Sequence, residues 1–202
     1  MKKKWSANRT INLVFHGHSV PSGYLNTPII TTFESYPLLV LKNVTNFYPT
    51  AVVNSIKTCI GGENAVQGAA RFERDVLSHK PDVVFIDYAL NDRRSSLEKS
   101  KIAWESMINQ ALKANVKVVL LTPTPDISED IKNTGTPLAQ HSQQIIELGK
   151  QYNIPVIDSY GTFKKIAEKE SGLSKYMAQP NHINGLGHSI VADLFKPIFW
   201  IL

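Results

Sequence analysis

The sequence predicts an α/β protein in which helices cover both faces of a parallel β-sheet. Short runs rich in β-branched residues alternate along the chain with longer segments of helical periodicity, as in βαβ units. Polar residues cluster where the predicted strands end, and ligands bind at those ends in open parallel sheets. Because the 202 residues contain no repeat, low-complexity tract or linker, one domain over residues 1–202 is expected.

Five short strands are predicted. The third is the clearest, because its continuous apolar run is typical of a parallel strand buried on both faces. In chain order, the predicted strands cover residues 11–15, 51–56, 82–87, 116–121 and 154–158.

Helices are predicted between the strands and after the last of them. In the second helix, Val66, Ala69 and Val76 approximate a repeat of 3.6 residues. In the first helix, Pro37 and several β-branched residues oppose the helical pattern. In chain order, the predicted helices cover residues 32–43, 63–78, 96–114, 137–153 and 184–199.

The composition excludes several classes of protein. A hydrophobic fraction of 43% and a charged fraction of 19% fit a soluble globular protein. The net charge of +5 comes partly from Lys2, Lys3 and Lys4, and the other basic residues are dispersed among acidic ones. No basic stripe with interleaved aromatic residues is present, so no nucleic-acid partner is expected. No run approaches ~18 apolar residues, so no membrane span is expected.

The first residues bear on the compartment. MKKKW resembles the charged start of a signal peptide, but the polar SANRTIN that follows it lacks the apolar segment. As written, the sequence is expected in the cytoplasm, or in the periplasm or outside the cell if it is a trimmed mature form. The single cysteine, Cys59, excludes an internal disulfide and fits either location.

Four polar segments are expected to meet at one edge of the sheet. Segments 16–19, 60–64 and 88–93 follow the first three predicted strands, and segment 179–188 precedes the last helix. The carboxyl ends of parallel strands lie at the same edge, so these segments are candidates for one site.

The residues in these segments are those that ester cleavage requires. A serine hydroxyl needs a base such as histidine to take its proton, which indicates Ser19 and His182. The oxyanion that forms needs preorganised donors. The N–H of Gly62 at a helix entrance and the side-chain amide of Asn91 can supply them. These groups could act together without a metal or cofactor, and none is expected.

Over nearly its whole length the sequence resembles the SGNH hydrolases, also called the GDSL esterase/lipase superfamily. The resemblance is carried by FHGHSVPSGY at 15–24, GGENAVQGAARF at 61–72, KPDVVFIDYALND at 80–92 and NHINGLGH at 181–188. It implies a three-layer α/β/α sandwich around a central parallel five-stranded sheet, the flavodoxin-like SGNH fold. It also implies that Ser19 attacks, that His182 is the base, and that Gly62 and Asn91 hold the oxyanion together with the N–H of Ser19.

Three positions depart from the family pattern. His18 replaces the usual aspartate of the first block, and Ala89 replaces a glycine of the third. Gln179 stands where the family has an aspartate three residues before the histidine. Glutamine lacks the charge that stabilises an imidazolium, although it can accept a hydrogen bond.

The departure at Gln179 leaves the partner of the catalytic imidazole open. We interpret Ser19 and His182 as a dyad whose imidazole is oriented by Gln179, by a main-chain carbonyl or by an acid from elsewhere in the chain. Two acids are candidates, namely Glu63 and Asp158.

Other polar residues have plainer interpretations. His16 and His18, two positions apart on a strand, could join the candidate base as three nitrogen ligands of zinc. No acidic or cysteine ligand has suitable spacing, and the nucleophile turn already explains the stretch, so no metal is predicted. Asp92 and Arg93 are interpreted as a structural pair, and His188 as a packing or surface residue.

Together these features predict a serine esterase acting on small O-acyl esters. The favoured substrate is an acetylated saccharide, because the chain lacks the long apolar lid segment that would suit a lipase. A lysophospholipase or thioesterase and an acyltransferase are alternatives on the same dyad. A catalytically silent binding module is a further alternative, because Gln179 replaces the usual aspartate. The sequence does not indicate the oligomeric state.

Overall fold

The structure is a computed structural model that describes residues 10–170 and 172–200. The predicted charged start at Lys2, Lys3 and Lys4 lies outside these residues. Among the described residues, no helix combines the length and apolar character needed to cross a membrane.

Five parallel strands form the central sheet in the order β2-β1-β3-β4-β5, the flavodoxin-like order. All five predicted strands are confirmed, and each observed end lies within two residues of the predicted one. The strands are β1 (Ile11–Gly17), β2 (Val53–Lys57), β3 (Val83–Asp87), β4 (Lys117–Leu121) and β5 (Val156–Ile157).

Ten α-helices and a small antiparallel hairpin are formed by the described residues. The helices are α1 (Ser19–Ser22), α2 (Tyr36–Phe47), α3 (Ala65–Ala70), α4 (Phe72–Asp75), α5 (Ala89–Asp92), α6 (Leu97–Lys113), α7 (Pro137–Tyr152), α8 (Ser159–Lys169), α9 (Gly185–Asp193) and α10 (Lys196–Trp200). The hairpin pairs β6 (Met177–Gln179) with β7 (His182–Ile183), outside the central sheet.

Each face of the sheet buries its own apolar core, which confirms the predicted α/β/α sandwich. Phe15 of β1 belongs to the first core, where it stacks on Phe85 at a ring-centroid distance of 4.6 Å and lies beneath α2, α8, α9 and α10. Val14 points to the second core, beneath α3, α6 and α7. Residues next to each other in a strand point to opposite faces, so one apolar strand supplies both layers.

Three predicted helices differ from those observed. The helix predicted over 184–199 is divided into α9 (Gly185–Asp193) and α10 (Lys196–Trp200). The prediction of one helix over 63–78 is wrong, because the backbone of Arg71 leaves the helical region between α3 and α4 (φ −114°, ψ 6°). Its guanidinium instead binds Glu63 and the carbonyl of Thr58. In 32–43, the extended Ser35 separates a 3₁₀ turn from α2 (φ −69°, ψ 143°). Pro37 then lies in the first turn of α2, where a proline is tolerated.

Candidate active site

Ser19 lies directly beyond the carboxyl end of β1, which lies between β2 and β3 in the sheet, and is the first residue of α1. Gly17 permits the close approach of β3, because a Cβ there would lie 2.5 Å from the main-chain oxygen of Asp87. His18 caps α1, since its Nδ1 accepts a hydrogen bond of 3.2 Å from the N–H of Val20. The strand-to-helix turn therefore presents the Ser19 side chain at the edge of the sheet.

The structure brings His182 onto Ser19, with His182 Nε2 2.9 Å from Ser19 Oγ across 163 residues of sequence. His182 begins β7 in the hairpin outside the main sheet. Burial keeps the pKa of His182 below its ordinary value of 6.5, because a desolvated ring resists protonation. The neutral imidazole can therefore accept the serine proton.

The other ring nitrogen of His182 contacts a main-chain carbonyl. Nδ1 lies 2.9 Å from the carbonyl oxygen of Leu25. A carbonyl only accepts hydrogen bonds, so Nδ1 carries the proton and Nε2 offers its lone pair to Ser19. The sequence leaves Gln179, a main-chain carbonyl or an acid as candidates for the group that orients the imidazole. The contact observed is with a main-chain carbonyl.

Gln179 lies opposite His182 in the β6–β7 hairpin, and among the described residues its side chain makes no hydrogen bond to the imidazole. Its Oε1 accepts the N–H of Thr27 at 3.0 Å, and its Nε2 donates to Asn181 at 2.9 Å. The side chain thus joins the histidine hairpin to the loop that carries the Leu25 carbonyl, two residues before Thr27.

The two acids considered as partners of the imidazole are engaged elsewhere. Glu63 accepts hydrogen bonds from the guanidinium of Arg71, with Nε–Oε1 at 2.9 Å. Asp158 accepts from the N–H of Gly161 at the start of α8 and from Thr122, both at 2.9 Å.

Gly62 lies in the loop after β2, the strand that pairs with β1 on the side away from β3. The loop continues the pairing with β1, since the N–H of Ile60 donates to the carbonyl of Gly17 at 3.0 Å. Gly62 has a φ of +83°, which favours glycine. Among the described residues, the N–H groups of Gly62 and Ser19 donate to no protein acceptor. Both remain free for a ligand oxygen.

Asn91 lies in α5, just beyond β3 on the other side of β1. Its Nδ2 donates one hydrogen bond of 2.8 Å to the carbonyl of Glu63. An amide nitrogen has two hydrogens, so the second can reach a ligand. Ser19 therefore has candidate donors from both neighbouring strands, and Glu63 joins those two loops.

A chain of buried polar groups supports the nucleophile turn. His18 Nε2 lies 3.4 Å from Asp87 Oδ1, and the hydroxyl of Tyr36 donates to Asp87 Oδ2 at 2.9 Å. The N–H of Tyr36 donates to His188 Nδ1 at 3.2 Å. Burial lowers the pKa of His188 to about 3, so this ring packs as a neutral group. His18, which replaces the usual acid, thus faces the acid of the adjacent strand.

Asp92 and Arg93 do not pair with each other, so the interpretation as a structural pair is wrong. The carboxylate of Asp92 accepts three hydrogen bonds of 2.7–2.9 Å, from the N–H of Ala65 and the side chains of Ser100 and Trp104. Arg93 instead binds Asp126, with Nη2–Oδ2 at 2.6 Å.

Asp126 is a residue near the site that sequence reasoning missed. It is buried, and its charge acts to raise the pKa of His182. The N–H of Ile127 donates to the carbonyl of Pro180 at 2.8 Å, which holds this loop against the histidine hairpin. The available signal was an acidic residue shortly after the fourth predicted strand.

The two histidines of the first segment have separate partners. His16 Nδ1 lies 2.8 Å from Thr58 Oγ1, and its ring packs edge-on against Phe72 and Tyr88. His18 faces the Asp87 carboxylate instead. Within 10–170 and 172–200, no group of three His, Cys, Asp or Glu side chains is arranged to hold a metal ion.

Comparisons with known proteins identify relatives of the chain. The family model described as GDSL-like Lipase/Acylhydrolase family matches residues 15–190. No curated protein matches the sequence.

Solved structures share the fold. A two-domain esterase active on acetylated mannans has 24% identity and a TM-score of 0.81, over 98% of this chain and 50% of that one. An acetylxylan esterase from Geobacillus stearothermophilus has 19% identity and a TM-score of 0.81, over 95% of each chain. A lipase/acylhydrolase from Enterococcus faecalis has 22% identity and a TM-score of 0.75, over 94% of this chain and 95% of that one. The chain thus spans about half the length of the two-domain esterase.

Proposed function

The chain belongs to the GDSL-like lipase/acylhydrolase family of ester-hydrolysing enzymes, and on this premise we propose that it is a serine esterase that removes acetyl groups from saccharides. The observation that carries this proposal is the 2.9 Å contact of His182 Nε2 with Ser19 Oγ. Among the described residues, the N–H groups of Ser19 and Gly62 and one amide hydrogen of Asn91 make no hydrogen bond, and the loops that carry them follow neighbouring strands.

In the first half of the reaction, Ser19 Oγ attacks the ester carbonyl while His182 Nε2 takes the hydroxyl proton. The carbonyl oxygen gains negative charge and receives hydrogen bonds from Ser19, Gly62 and Asn91. The imidazolium then gives its proton to the departing alcohol, and the acyl group stays on Ser19. In the second half, water attacks this acyl-enzyme with His182 again as the base, releasing a carboxylic acid and the free serine.

The Leu25 carbonyl fixes the tautomer and direction of the imidazole in this scheme. It contributes a dipole, whereas the family's aspartate contributes a full negative charge. The imidazolium intermediate is therefore less stabilised than in a full triad, while the ground-state ring stays neutral to lower pH.

The solved structures with this fold favour an acetylated saccharide as the substrate. One is described as active on acetylated mannans and another as an acetylxylan esterase. A saccharide alcohol is large and an acetyl group small, so such a substrate needs open space on one side of Ser19 and little on the other.

A second candidate function is a lysophospholipase or thioesterase that acts on a longer apolar acyl chain. The observation in its favour is the exposure of Ile29, Ile30 and Phe33, the last at 83%, on the segment that follows Leu25.

Hydrolysis of p-nitrophenyl acetate, butyrate and octanoate and of an acetylated xylo-oligosaccharide tests the proposal. We expect acetate release from the oligosaccharide, the highest kcat/KM for the acetyl ester, and loss of both activities in Ser19→Ala. A preference for the octanoyl ester would favour the second candidate. Hydrolysis that persists in Ser19→Ala would contradict both.

A further inference from the structure

Tyr24 lies between the base and the oxyanion loop of the site. Its ring centroid is 6.0 Å from that of His182, with an angle of 55° between the ring planes. At its other end, the ring borders Gly61, because a Cβ on Gly61 would lie 3.3 Å from both Cζ and Oη of Tyr24. Gly61 immediately precedes the candidate oxyanion donor Gly62. The ring therefore spans from one catalytic group to the other.

The backbone of Tyr24 is tied to the nucleophile itself. The N–H groups of Gly23 and Tyr24 both donate to the carbonyl of Ser19 at 3.1 Å. Gly23 has a φ of +100°, and a Cβ there would lie 2.9 Å from the carbonyl oxygen of Thr31. Tyr24 also forms an antiparallel bridge with Ile30. These contacts fix the backbone of Tyr24 relative to that of Ser19. The starting point of the Tyr24 side chain is therefore set by the backbone.

We propose that the Tyr24 ring closes the acyl side of the site and limits the substrate to short acyl groups. This inference rests on the proposed esterase function. In the tetrahedral intermediate, the oxyanion points to the donors of Gly62 and Asn91, and the alkoxy oxygen must face His182 to receive its proton. In the proposed arrangement the acyl substituent takes the remaining direction, along the Tyr24 ring that reaches from His182 to Gly61.

The absence of a side chain at Gly61 fits this role, because a methyl group at 3.3 Å would press on the ring. The phenol hydroxyl makes no hydrogen bond to the described residues, so no polar contact accounts for the position of the ring. Its bulk is therefore the property that the test must isolate.

The test compares Tyr24→Ala with the matched control Tyr24→Phe, which keeps the ring and removes only the hydroxyl. The readout is the ratio of kcat/KM for p-nitrophenyl butyrate to that for the acetate. Tyr24→Ala should raise the ratio by about tenfold or more, since each methylene in a pocket changes discrimination by roughly 10–200-fold. Tyr24→Phe should leave the ratio within about twofold of the wild type, as expected when the hydroxyl takes no part in this discrimination.

An unchanged ratio in Tyr24→Ala, with cooperative thermal unfolding retained, would overturn the inference, as would a similar rise in Tyr24→Phe. If Tyr24→Ala does not fold, Tyr24→Leu removes the aromatic ring while keeping an apolar side chain, and the same ratio decides. Failure of the underlying function would look different, because the wild type itself would then hydrolyse neither ester or would prefer the octanoyl ester.

Discussion

The two halves of the candidate site are held in different ways. Ser19, Gly62 and Asn91 lie beyond three adjacent strands of the main sheet, with buried polar pairs beneath them. His182 lies on a two-residue strand outside that sheet, and its imidazole contacts a neutral carbonyl from a loop. The nucleophile half is thus built into the core, whereas the base half depends on contacts between loops. Substitutions in the first half should therefore lower stability as well as activity, whereas those in the second should act mainly on catalysis.

The largest effect is expected from breaking the base half with His182→Ala. Without the base, kcat should fall by at least about 10⁴-fold, as in serine hydrolases that lose a unit of the triad. The free energy of unfolding should fall only moderately, because a buried ring is lost but its described hydrogen bonds go only to Ser19 and Leu25. Steady-state hydrolysis and urea unfolding measure the two quantities. Near-normal activity would remove the dyad from the mechanism.

Asn91→Ala should lower kcat by about 10²–10³-fold, because one oxyanion donor is lost. It also removes the hydrogen bond to the carbonyl of Glu63, so a modest loss of stability should accompany the loss of activity. Asn109→Ala, at an exposed position of α6, is the matched control. Equal activity in the two variants would show that Asn91 acts only as a loop tie.

His18→Asp tests the buried pair of the nucleophile half. The substitution restores the usual family residue, yet it places a second carboxylate against Asp87 in a buried site. We expect the free energy of unfolding to fall by about 3 kcal/mol, since the new carboxylate is buried against Asp87 with no positive partner. The double variant with Asp87→Asn should recover part of this loss. A double-mutant cycle by urea unfolding measures the coupling, and strictly additive losses would contradict it.

Gln179→Ala should have a smaller effect, because Gln179 acts on His182 only through the Leu25 loop. Losing the hydrogen bond to Thr27 costs about 1 kcal/mol. We therefore expect kcat to fall by at most about fivefold with KM nearly unchanged, the loss if this whole free energy appeared in the transition state at 1.4 kcal/mol per tenfold. Gln179→Glu keeps the acceptor for Thr27 and should recover most of the rate. An equal loss in both variants would mean that the amide has another role.

The smallest expected effect is a shift in the pH profile of kcat/KM, which reports on the electrostatic surroundings of His182 in the base half. Only the neutral imidazole accepts the serine proton, so kcat/KM should rise as pH rises through the pKa of free His182. Because burial lowers that pKa, the acidic midpoint should lie below 6.5. Asp126→Asn removes a charge that favours the protonated ring, so the midpoint should move to still lower pH. A midpoint above 6.5, or an upward shift in Asp126→Asn, would contradict this electrostatic description.

The comparison of the two halves also explains what could be predicted from the sequence. The strands and the segment around Ser19 have local signatures, because apolar runs and a terminal glycine and serine are visible in the chain. The group that orients His182 has no local signature in the sequence, because every residue has a main-chain carbonyl like that of Leu25. Likewise, the break at Arg71 arises from tertiary contacts with Glu63 and Thr58, which override a regular helical pattern.

The most direct test of the central claim is active-site labelling with a fluorophosphonate, followed by peptide mass spectrometry. We predict one covalent adduct per chain, on Ser19, formed at least about 10³-fold more slowly in His182→Ala because the hydroxyl then lacks its base. Wild-type protein that hydrolyses the acetyl ester while Ser19 remains unlabelled would contradict the account, and so would an adduct on another residue.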